Sequence, residues 1–230
     1  MKQLMKIVET KKETRDSITI SLKGKEKINF IPGQFVMVKV LNEEKSPKRA
    51  YSISSSPMRE VLQITIKETP DGYVSKLLNQ SKVGDELLIE GPFGHMLFDS
   101  EKMKSVVLIG AGSGIAPLKS ISQFVLDKKL NTNITFCYSN RTEADIISHS
   151  ELHDFEKQIK NFNLILAITR EKKECFHCGR IDEKMIKEIH KKNPEAFYFL
   201  CGPSKMVNAI KELIFNQGIE TKRVFFEVYN

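Results

Sequence analysis

The chain has 230 residues, 40% hydrophobic and 28% charged, which excludes a disordered chain and leaves room for one large domain or two smaller ones. The net charge of +7 is spread over both halves: positions 1–100 hold 16 basic and 13 acidic residues, and the remainder 20 and 16. A nucleic-acid-binding arm would concentrate this charge, so no nucleic-acid partner is expected. No apolar run approaches the roughly 20 residues that span a bilayer. The N-terminus is unlike a signal peptide and only four cysteines occur, so we expect a cytoplasmic protein without a membrane span.

Residues 1–100 consist of short β-like runs separated by turn sequences. Pairs such as Pro32-Gly33, Asp71-Gly72 and Gly84-Asp85 mark the turns, and only residues 73–80 predict a helix. Closely spaced strands favour an antiparallel barrel or sandwich. The predicted strands are 4–10, 16–22, 34–41, 49–54, 61–68 and 86–91.

After residue 100, apolar strands alternate with helices. The predicted strands are 105–110, 133–139, 163–169, 196–201 and 224–229, and the predicted helices are 115–129, 150–160, 181–192 and 203–217. This alternation predicts a five-stranded parallel sheet with helices on both faces. The fold class is therefore β plus α/β: an antiparallel β-barrel over 1–100, followed by a doubly wound domain over 101–230.

A glycine-rich turn, Gly110-Ala-Gly112-Ser113-Gly114, joins the first parallel strand to a long helix. Glycines let the backbone approach an anion, and a helix N-terminus offers free N–H groups. The third glycine comes one residue too early for the G-x-G-x-x-G fingerprint. The second strand ends at Ser139-Asn140-Arg141, without the acidic residue that holds a ribose 2′-hydroxyl. In its βαβ context, the turn still predicts dinucleotide binding.

Four further motifs stand in order around this turn. They are Arg49-Ala50-Tyr51-Ser52, Gly72-Tyr73-Val74-Ser75, Gly91-Pro-Phe-Gly94 and Cys201-Gly202-Pro203. Glu227-Val-Tyr229, followed by Asn230, adds to them. In order and spacing this set resembles the ferredoxin–NADP(+) reductase superfamily over essentially the whole chain. In that family a flavin-binding barrel precedes a pyridine-nucleotide domain, which is the order that periodicity predicts here.

The resemblance gives the barrel motifs a role in holding FAD. Arg49 supplies a fork for a phosphate and Tyr51 a ring for the isoalloxazine, since both lie on one face of their strand. Ser52 is expected near the flavin N5. Residues 72–75 open the helix of this half and are expected at the flavin pyrophosphate.

The resemblance also implies that four residues meet where hydride is exchanged. Cys201 and Glu227 are expected beside the nicotinamide together with Ser52, as orienting groups. Tyr229 is expected to cover the flavin and to move during turnover, with Phe226 as a rival for that role. The candidate catalytic residues are Ser52, Cys201, Glu227 and Tyr229.

The candidate cofactor-binding residues extend over both domains. Ser139, Arg141 and Arg170 follow the second and third parallel strands, where their charge and donors favour NADPH over NADH. The full set is Arg49, Ala50, Tyr51, Ser52, Ile66, Lys67, Gly72, Tyr73, Val74, Ser75, Gly110, Gly112, Ser113, Gly114, Ser139, Arg141, Arg170, Cys201, Gly202, Pro203 and Met206.

The sequence thus predicts a flavoprotein that moves hydride from NAD(P)H to bound FAD and then electrons to an acidic ferredoxin or flavodoxin carrier. The diffuse basic charge suits such a partner. Two alternatives stay open: a reductase of free flavin, and an electron-transfer subunit of an oxygenase or dehydrogenase complex.

No metal site is predicted. Cys175 and Cys178 form the only close cysteine pair, without the second pair that zinc or an iron–sulfur cluster would need. Thiols without a function, a redox-sensitive disulfide and an intermolecular metal remain open for this pair. His149 and His153 have helical spacing but no identifiable third ligand.

Overall fold

The first half of the chain folds into an antiparallel sheet. The computed structural model describes residues 1–41, 46–174 and 176–229. The strands are β1 (Lys2–Thr14), β2 (Ser17–Gly24), β3 (Phe35–Val40), β4 (Arg49–Ser52), β5 (Leu62–Lys67) and β6 (Glu86–Phe93), with α1 (Tyr73–Asn79) between β5 and β6. They lie in the order β4-β3-β6-β1-β2-β5. β1 is longer than predicted, because it pairs with β6 through its first half and with β2 over most of its length.

The two outer strands of this sheet meet and close it into the predicted barrel. Ile53, just after β4, forms an antiparallel bridge with Ile64 of β5, and the Ser54 N–H donates to the Gln63 carbonyl at 2.8 Å. Alternating apolar residues fill the interior, among them Ile7, Ile20 and Ile64, all completely buried. The two-residue period therefore defines one core for this domain.

The second half forms the parallel α/β domain. Its elements are β7 (Ser105–Ala111), α2 (Ile115–Asp127), β8 (Asn133–Asn140), α3 (His149–Gln158), β9 (Phe162–Ile168), β10 (His177–Cys178), α4 (Glu183–Lys192), β11 (Phe197–Pro203), α5 (Ser204–Asn216) and β12 (Val224–Tyr229). The order is β10-β9-β8-β7-β11-β12, with every pair parallel. The doubly wound class is confirmed, but the sheet has six strands where five are predicted. The two residues of β10 are too few to show a period.

Helices cover both faces of the parallel sheet. Phe136 and Phe199 point into the core shared with α2 and α3, whereas Tyr198 and Leu200 point into the core shared with α4 and α5. Met96 and Phe98, although they precede residue 100, already pack in the first of these cores. The boundary between residues 100 and 101 stays a prediction. In the described part of the chain, no helix combines the length and apolarity needed to cross a membrane.

A group of four charged residues and one serine, which we call the ionic seam, joins β1 of the barrel to α2 and α3. Lys119 is only 3% exposed, and its Nζ lies 2.5 Å from Glu151 Oε2. Lys11 Nζ reaches the other oxygen of Glu151, also at 2.5 Å. The buried Glu13 carboxylate accepts the Ser148 N–H at 3.2 Å. The ionic seam (Lys11, Glu13, Lys119, Ser148 and Glu151) therefore fixes one edge of the barrel against the second domain.

Candidate active site

Two clefts open where the domains meet. The barrel cleft has a volume of about 730 Å³ and is lined by Arg49, Ala50, Tyr51, Ser52, Thr65, Lys67, Thr69, Pro70, Asp71, Gly72, Tyr73, Val74, Ser75, Ser113, Val228 and Tyr229. The sheet cleft has about 700 Å³ and is lined by Arg15, Asp16, Lys67, Glu68, Thr69, Pro70, Ala111, Gly112, Ser113, Ser139, Asn140, Arg141, Asp145, Thr169, Pro203 and Tyr229. Both volumes are typical of small-molecule sites. Lys67, Thr69, Pro70, Ser113 and Tyr229 line both clefts, so the two are adjacent.

Strand β4 supplies one wall of the barrel cleft. Arg49 and Ala50 are exposed on it, Tyr51 is half-buried against the barrel core, and Ser52 is buried. Burial raises the pKa of Tyr51 to about 12, so its hydroxyl stays protonated at neutral pH. The wall therefore offers an exposed guanidinium and a neutral phenol ring.

The end of β5 brings a cation to the junction of the clefts. Thr65 and Lys67 face the cleft, whereas the intervening Ile66 lies wholly in the barrel core. Lys67 Nζ donates to Asp16 Oδ1 at 2.9 Å. Burial opposes ionisation of Asp16, but hydrogen bonds from Lys67 and Thr14 outweigh it and lower the pKa of the carboxyl. Ile66 can thus reach a ligand only through its backbone.

Residues 72–75 form a tight turn into α1. The Ser75 hydroxyl donates to the Gly72 carbonyl at 3.0 Å and accepts the Thr69 N–H at 3.3 Å. A Cβ at Gly72 would lie 2.1 Å from Thr69 Oγ1 and 2.3 Å from Ser75 Oγ, so a larger residue would displace these two hydroxyls. Val74 anchors the turn in the core, and Tyr73 is exposed at the cleft.

The glycine-rich turn after β7 packs directly on β11. A Cβ at Gly114 would lie 2.0 Å from the Cys201 carbonyl oxygen, which only glycine avoids. Gly112 has a φ of +54°, and its carbonyl accepts the hydroxyl of buried Tyr138 at 2.7 Å. Gly110 ends the buried part of β7, and Ser113 lines both clefts. The close packing places the start of α2 at the cleft junction.

The four candidate catalytic residues meet in a second contact between the domains, which we call the cleft seam (Ser52, Cys201, Glu227 and Tyr229). The Ser52 and Tyr229 hydroxyls are 2.7 Å apart, and Ser52 Oγ donates to Glu227 Oε2 at 3.2 Å. The Cys201 thiol donates to Tyr229 Oη at 3.3 Å. These contacts form a continuous hydrogen-bonded series that ends on the carboxylate.

Burial controls protonation in the cleft seam. It raises the pKa of Glu227 to about 7, against a smaller opposing effect of the Ser52 hydrogen bond. It also raises the pKa values of the Cys201 thiol and the Tyr229 hydroxyl, which stay protonated at neutral pH. Glu227 is therefore the group in this seam that can exchange a proton near pH 7.

Phe226, the rival of Tyr229, lies on the other face of β12. Its ring is 46% exposed and packs under Lys211, whose Nζ is 3.6 Å from the ring centroid. Tyr229 instead lines both clefts. The alternation of side chains along a strand thus places Tyr229, and not Phe226, at the junction.

The sheet cleft includes some predicted nucleotide-binding residues and excludes others. Ser139, Arg141 and Pro203 line it. Arg170 is exposed, and its backbone N–H donates to the Arg141 carbonyl; Met206, on α5, packs against the core shared with α4. Neither residue lines a cleft. Buried Gly202 also lines neither cleft, and Met206 Cε lies 2.9 Å from where a Cβ of Gly202 would be.

Several residues that line the sheet cleft belong to no recognisable sequence motif. Arg15 and Asp16 form the turn between β1 and β2, and Thr169 follows β9. A polar hairpin turn looks the same in sequence whether it is solvated or faces a cleft. The contact of this turn with the second domain depends on how the two domains pack.

The cysteine pair adds no site in the described residues. Cys175 lies outside them, and Cys178 is exposed. The rings of His149 and His153 are 5.1 Å apart on α3. Within residues 1–41, 46–174 and 176–229, no group of three His, Cys, Asp or Glu side chains could hold a metal ion.

Comparison with known proteins defines the class. Residues 4–98 match the oxidoreductase FAD-binding domain family, and residues 108–212 match the oxidoreductase NAD-binding domain family. The chain therefore combines a flavin-binding and a pyridine-nucleotide-binding domain of oxidoreductases. These two matches agree with the resemblance of its motifs to the ferredoxin–NADP(+) reductase superfamily.

Similar proteins include reductase subunits of an oxygenase. The glycine betaine monooxygenase reductase subunit of Pseudomonas aeruginosa is 31% identical over 235 residues, covering 99% of this chain and 64% of that protein. Its counterpart from Chromohalobacter salexigens is 32% identical over 197 residues, covering 83% and 54%. The chain thus spans between half and two thirds of the length of these curated relatives.

A solved structure of similar fold matches over nearly its whole length. The ferredoxin NADP+ reductase from Neisseria gonorrhoeae, with bound FAD and NADP, superposes with a TM-score of 0.86 at 22% identity. The match covers 99% of this chain and 98% of that one. At this identity the likeness establishes the two-domain fold.

The residues of the barrel cleft fit FAD. Arg49 offers a guanidinium to a phosphate, and Tyr51 a neutral ring to an aromatic ligand. Gly72 lines the same cleft at the start of α1, with Ser75 and Thr69 beside it. The donor set and the cleft volume both suit a dinucleotide that carries an aromatic group.

Proposed function

We propose that this protein is a flavin-dependent NAD(P)H reductase that passes electrons to a separate acceptor protein. The observation that carries the proposal is the junction of the two clefts at Lys67, Ser113 and Tyr229, beside the cleft seam. A flavin site and a nucleotide site that share a wall allow direct hydride exchange between their ligands. When bound, FAD supplies the chemistry that accepts a hydride and returns single electrons.

In this proposal, Arg49, Tyr51 and residues 72–75 hold FAD in the barrel cleft. The glycine-rich turn and Pro203 hold the nucleotide in the sheet cleft, with the pyrophosphate at the turn before α2. Retention by this many groups argues against the alternative of a reductase that treats flavin as a diffusible substrate. Ser139 and Arg141 favour NADPH over NADH, because they provide a donor and a positive charge where the adenosine ribose binds.

The residues of the cleft seam orient the ligands and exclude water. Tyr229 lines both clefts and must move for ligands in them to touch. Glu227 Oε2 accepts the Ser52 hydroxyl, and a pKa of about 7 lets this carboxyl hold or release a proton at neutral pH. The hydrogen-bonded series thus provides a proton at Ser52 Oγ.

For the acceptor, we propose a protein with an acidic surface. An acidic ferredoxin or flavodoxin carrier suits the net charge of +7. The named role of the two similar proteins, as reductase subunits of a monooxygenase, favours a second candidate: an electron-transfer subunit of an oxygenase complex. A cytoplasmic location remains part of this proposal.

The test begins with the purified protein. On gel filtration, FAD is expected to co-elute with the protein at about one per chain. In stopped-flow mixing, NADPH is expected to bleach the flavin absorbance faster than NADH does. R49A is expected to weaken FAD binding, whereas R180A, an exposed arginine outside both clefts, is the matched control. Colourless protein that binds no added FAD and is not reduced by NAD(P)H would refute the proposal.

The acceptor is tested separately, with a ferredoxin, a flavodoxin and an oxygenase component as electron acceptors. Reduction of a carrier protein that slows as salt increases supports an acidic partner, since screening weakens attraction between charged proteins. Turnover with an oxygenase component alone favours the second candidate.

A further inference from the structure

Two arginines from different domains face the sheet cleft. Arg15 belongs to the turn between β1 and β2, and Arg141 follows β8. Both are exposed, and within the described part of the chain neither guanidinium has a hydrogen bond or a carboxylate partner. Two exposed guanidinium groups that are not paired with carboxylates can both bind a phosphate.

Two carboxylates of the same cleft are already engaged elsewhere. Asp16 accepts Lys67 Nζ at 2.9 Å and the Thr14 hydroxyl at 2.9 Å. Asp145 accepts the Thr142 N–H and hydroxyl, at 3.1 and 2.8 Å. In the described residues, neither carboxylate forms an ion pair with Arg15 or Arg141. Glu68 is the remaining acidic residue of the lining.

The position of Arg15 is fixed relative to the second domain. Glu13, two residues before it, accepts the Ser148 N–H at 3.2 Å and the Thr19 hydroxyl at 2.8 Å. Lys11, on the same strand, is paired with Glu151 of α3. The ionic seam therefore holds the turn against the second domain, so that little ordering is needed when a ligand binds.

The place of the two arginines indicates which phosphate they bind. The pyrophosphate of a dinucleotide belongs at the glycine-rich turn, at the start of the first helix of the sheet. The end of the second strand, here Ser139-Asn140-Arg141, is where an arginine accommodates a phosphate on the ribose 2′-oxygen. Arg15 lines the cleft together with these residues.

We propose that Arg15 is a specificity-determining residue that binds the 2′-phosphate of NADPH together with Arg141. The preference for NADPH over NADH then depends on both domains, because the flavin-binding domain supplies one of the two guanidinium groups. This inference rests on the proposed function and adds a residue to its nucleotide site.

The test measures binding of two nucleotide fragments by titration calorimetry, on the protein with the flavin it retains. 2′,5′-ADP carries the 2′-phosphate, and 5′-AMP lacks it. R15A is expected to weaken 2′,5′-ADP binding by tenfold or more and to change 5′-AMP binding by less than twofold. The affinity of R15K for 2′,5′-ADP is expected to lie between those of wild type and R15A, since a lysine keeps the charge but cannot form two parallel hydrogen bonds to one phosphate. R180A is the matched control and is expected to leave both affinities unchanged.

A double-mutant cycle shows whether the two arginines share one phosphate. R15A/R141A is expected to weaken 2′,5′-ADP binding by less than the product of the two single effects, because residues bound to the same group are coupled. Arg15 is exposed in a turn, so R15A is expected to unfold at the same urea concentration as the wild type.

The outcomes separate this inference from the proposed function. If R15A weakens the binding of 2′,5′-ADP and 5′-AMP equally, Arg15 contacts a part of the nucleotide that both fragments contain, and the inference is wrong. An R15A protein with unchanged affinity for 2′,5′-ADP also overturns it. Either result leaves the proposed function standing if NADPH reduces the wild type. Wild-type protein that binds neither fragment and is not reduced by NAD(P)H overturns both.

Discussion

The two seams between the domains differ in chemistry and in place. The ionic seam is a set of charges around the buried ammonium of Lys119, and its residues line neither cleft. The cleft seam is a series of hydroxyl, thiol and carboxyl groups, and two of its members, Ser52 and Tyr229, line a cleft.

This difference indicates that the two seams have different roles. Charges that are buried together hold one geometry, because separating them leaves an ion without water or a partner. Protonated hydroxyl and thiol groups can exchange partners at a lower cost, since a ligand or water replaces each hydrogen bond. We therefore expect the ionic seam to hold the domains together and the cleft seam to yield when ligands bind.

The largest effect is expected from breaking the ionic seam. E151A leaves Lys119 buried without a carboxylate, and removing one partner of a buried pair costs roughly 3–5 kcal/mol of unfolding free energy. Urea unfolding measures this loss.

The matched control is E156A on the same helix, whose exposed carboxylate contacts only His153 in the described residues. E156A is expected to change stability by less than about 0.5 kcal/mol. A K119M/E151L double variant is expected to recover most of the loss, because apolar pairs replace buried ion pairs well. Equal, small effects of E151A and E156A would mean that the ionic seam does not hold the domains.

A smaller effect is expected from the pH dependence of the cleft seam. Burial raises the pKa of Glu227 to about 7, above its value of about 4.3 in an unfolded chain. Between these values the folded state binds more protons, so Glu227 is expected to reduce stability as pH rises from about 4.3 to 7. The reduction is at most about 4 kcal/mol, and partial exposure of the side chain makes it smaller.

E227Q is the control for this prediction, because glutamine cannot ionise. Unfolding free energies of wild type and E227Q are compared at pH 5 and pH 8. The unfolding free energy of E227Q relative to wild type is expected to be higher at pH 8 than at pH 5. A difference that stays constant between the two pH values would contradict the raised pKa.

The smallest effect is expected from Tyr229. Y229S removes the ring that lines both clefts and is expected to tighten NADP+ binding about tenfold, which corresponds to about 1.4 kcal/mol. F226S removes an exposed ring on the other face of β12 and is expected to change affinity by less than twofold. Unchanged affinity in Y229S would mean that the cleft seam does not have to yield for the nucleotide.

The fold was largely predictable because it depends on local hydrophobic periods. Two-residue alternation before residue 100 and strand–helix alternation after it define the barrel and the doubly wound sheet. The two-residue β10 was not predictable, since it carries no period. The buried Lys119 also gave no signal, because a lysine on an amphipathic helix normally lies on the solvated face.

The candidate site was predictable only in part. The motifs pointed to Ser52, Cys201, Glu227 and Tyr229, which the structure brings together although β4 and β12 are far apart in sequence. Arg15 carries no such motif, and its place in the sheet cleft follows from the packing of one domain on the other. A residue that lines a cleft only because another domain packs beside it has no signal in the local sequence.

The closure of the barrel has a consequence for the wall of the barrel cleft. β4, which carries Arg49 and Tyr51, pairs along its length with β3, but it meets β5 through one bridge and a few hydrogen bonds around Ile53. Local opening follows the path with the fewest bonds to break. The wall of the barrel cleft is therefore held by more backbone bonds on its β3 side than on its β5 side.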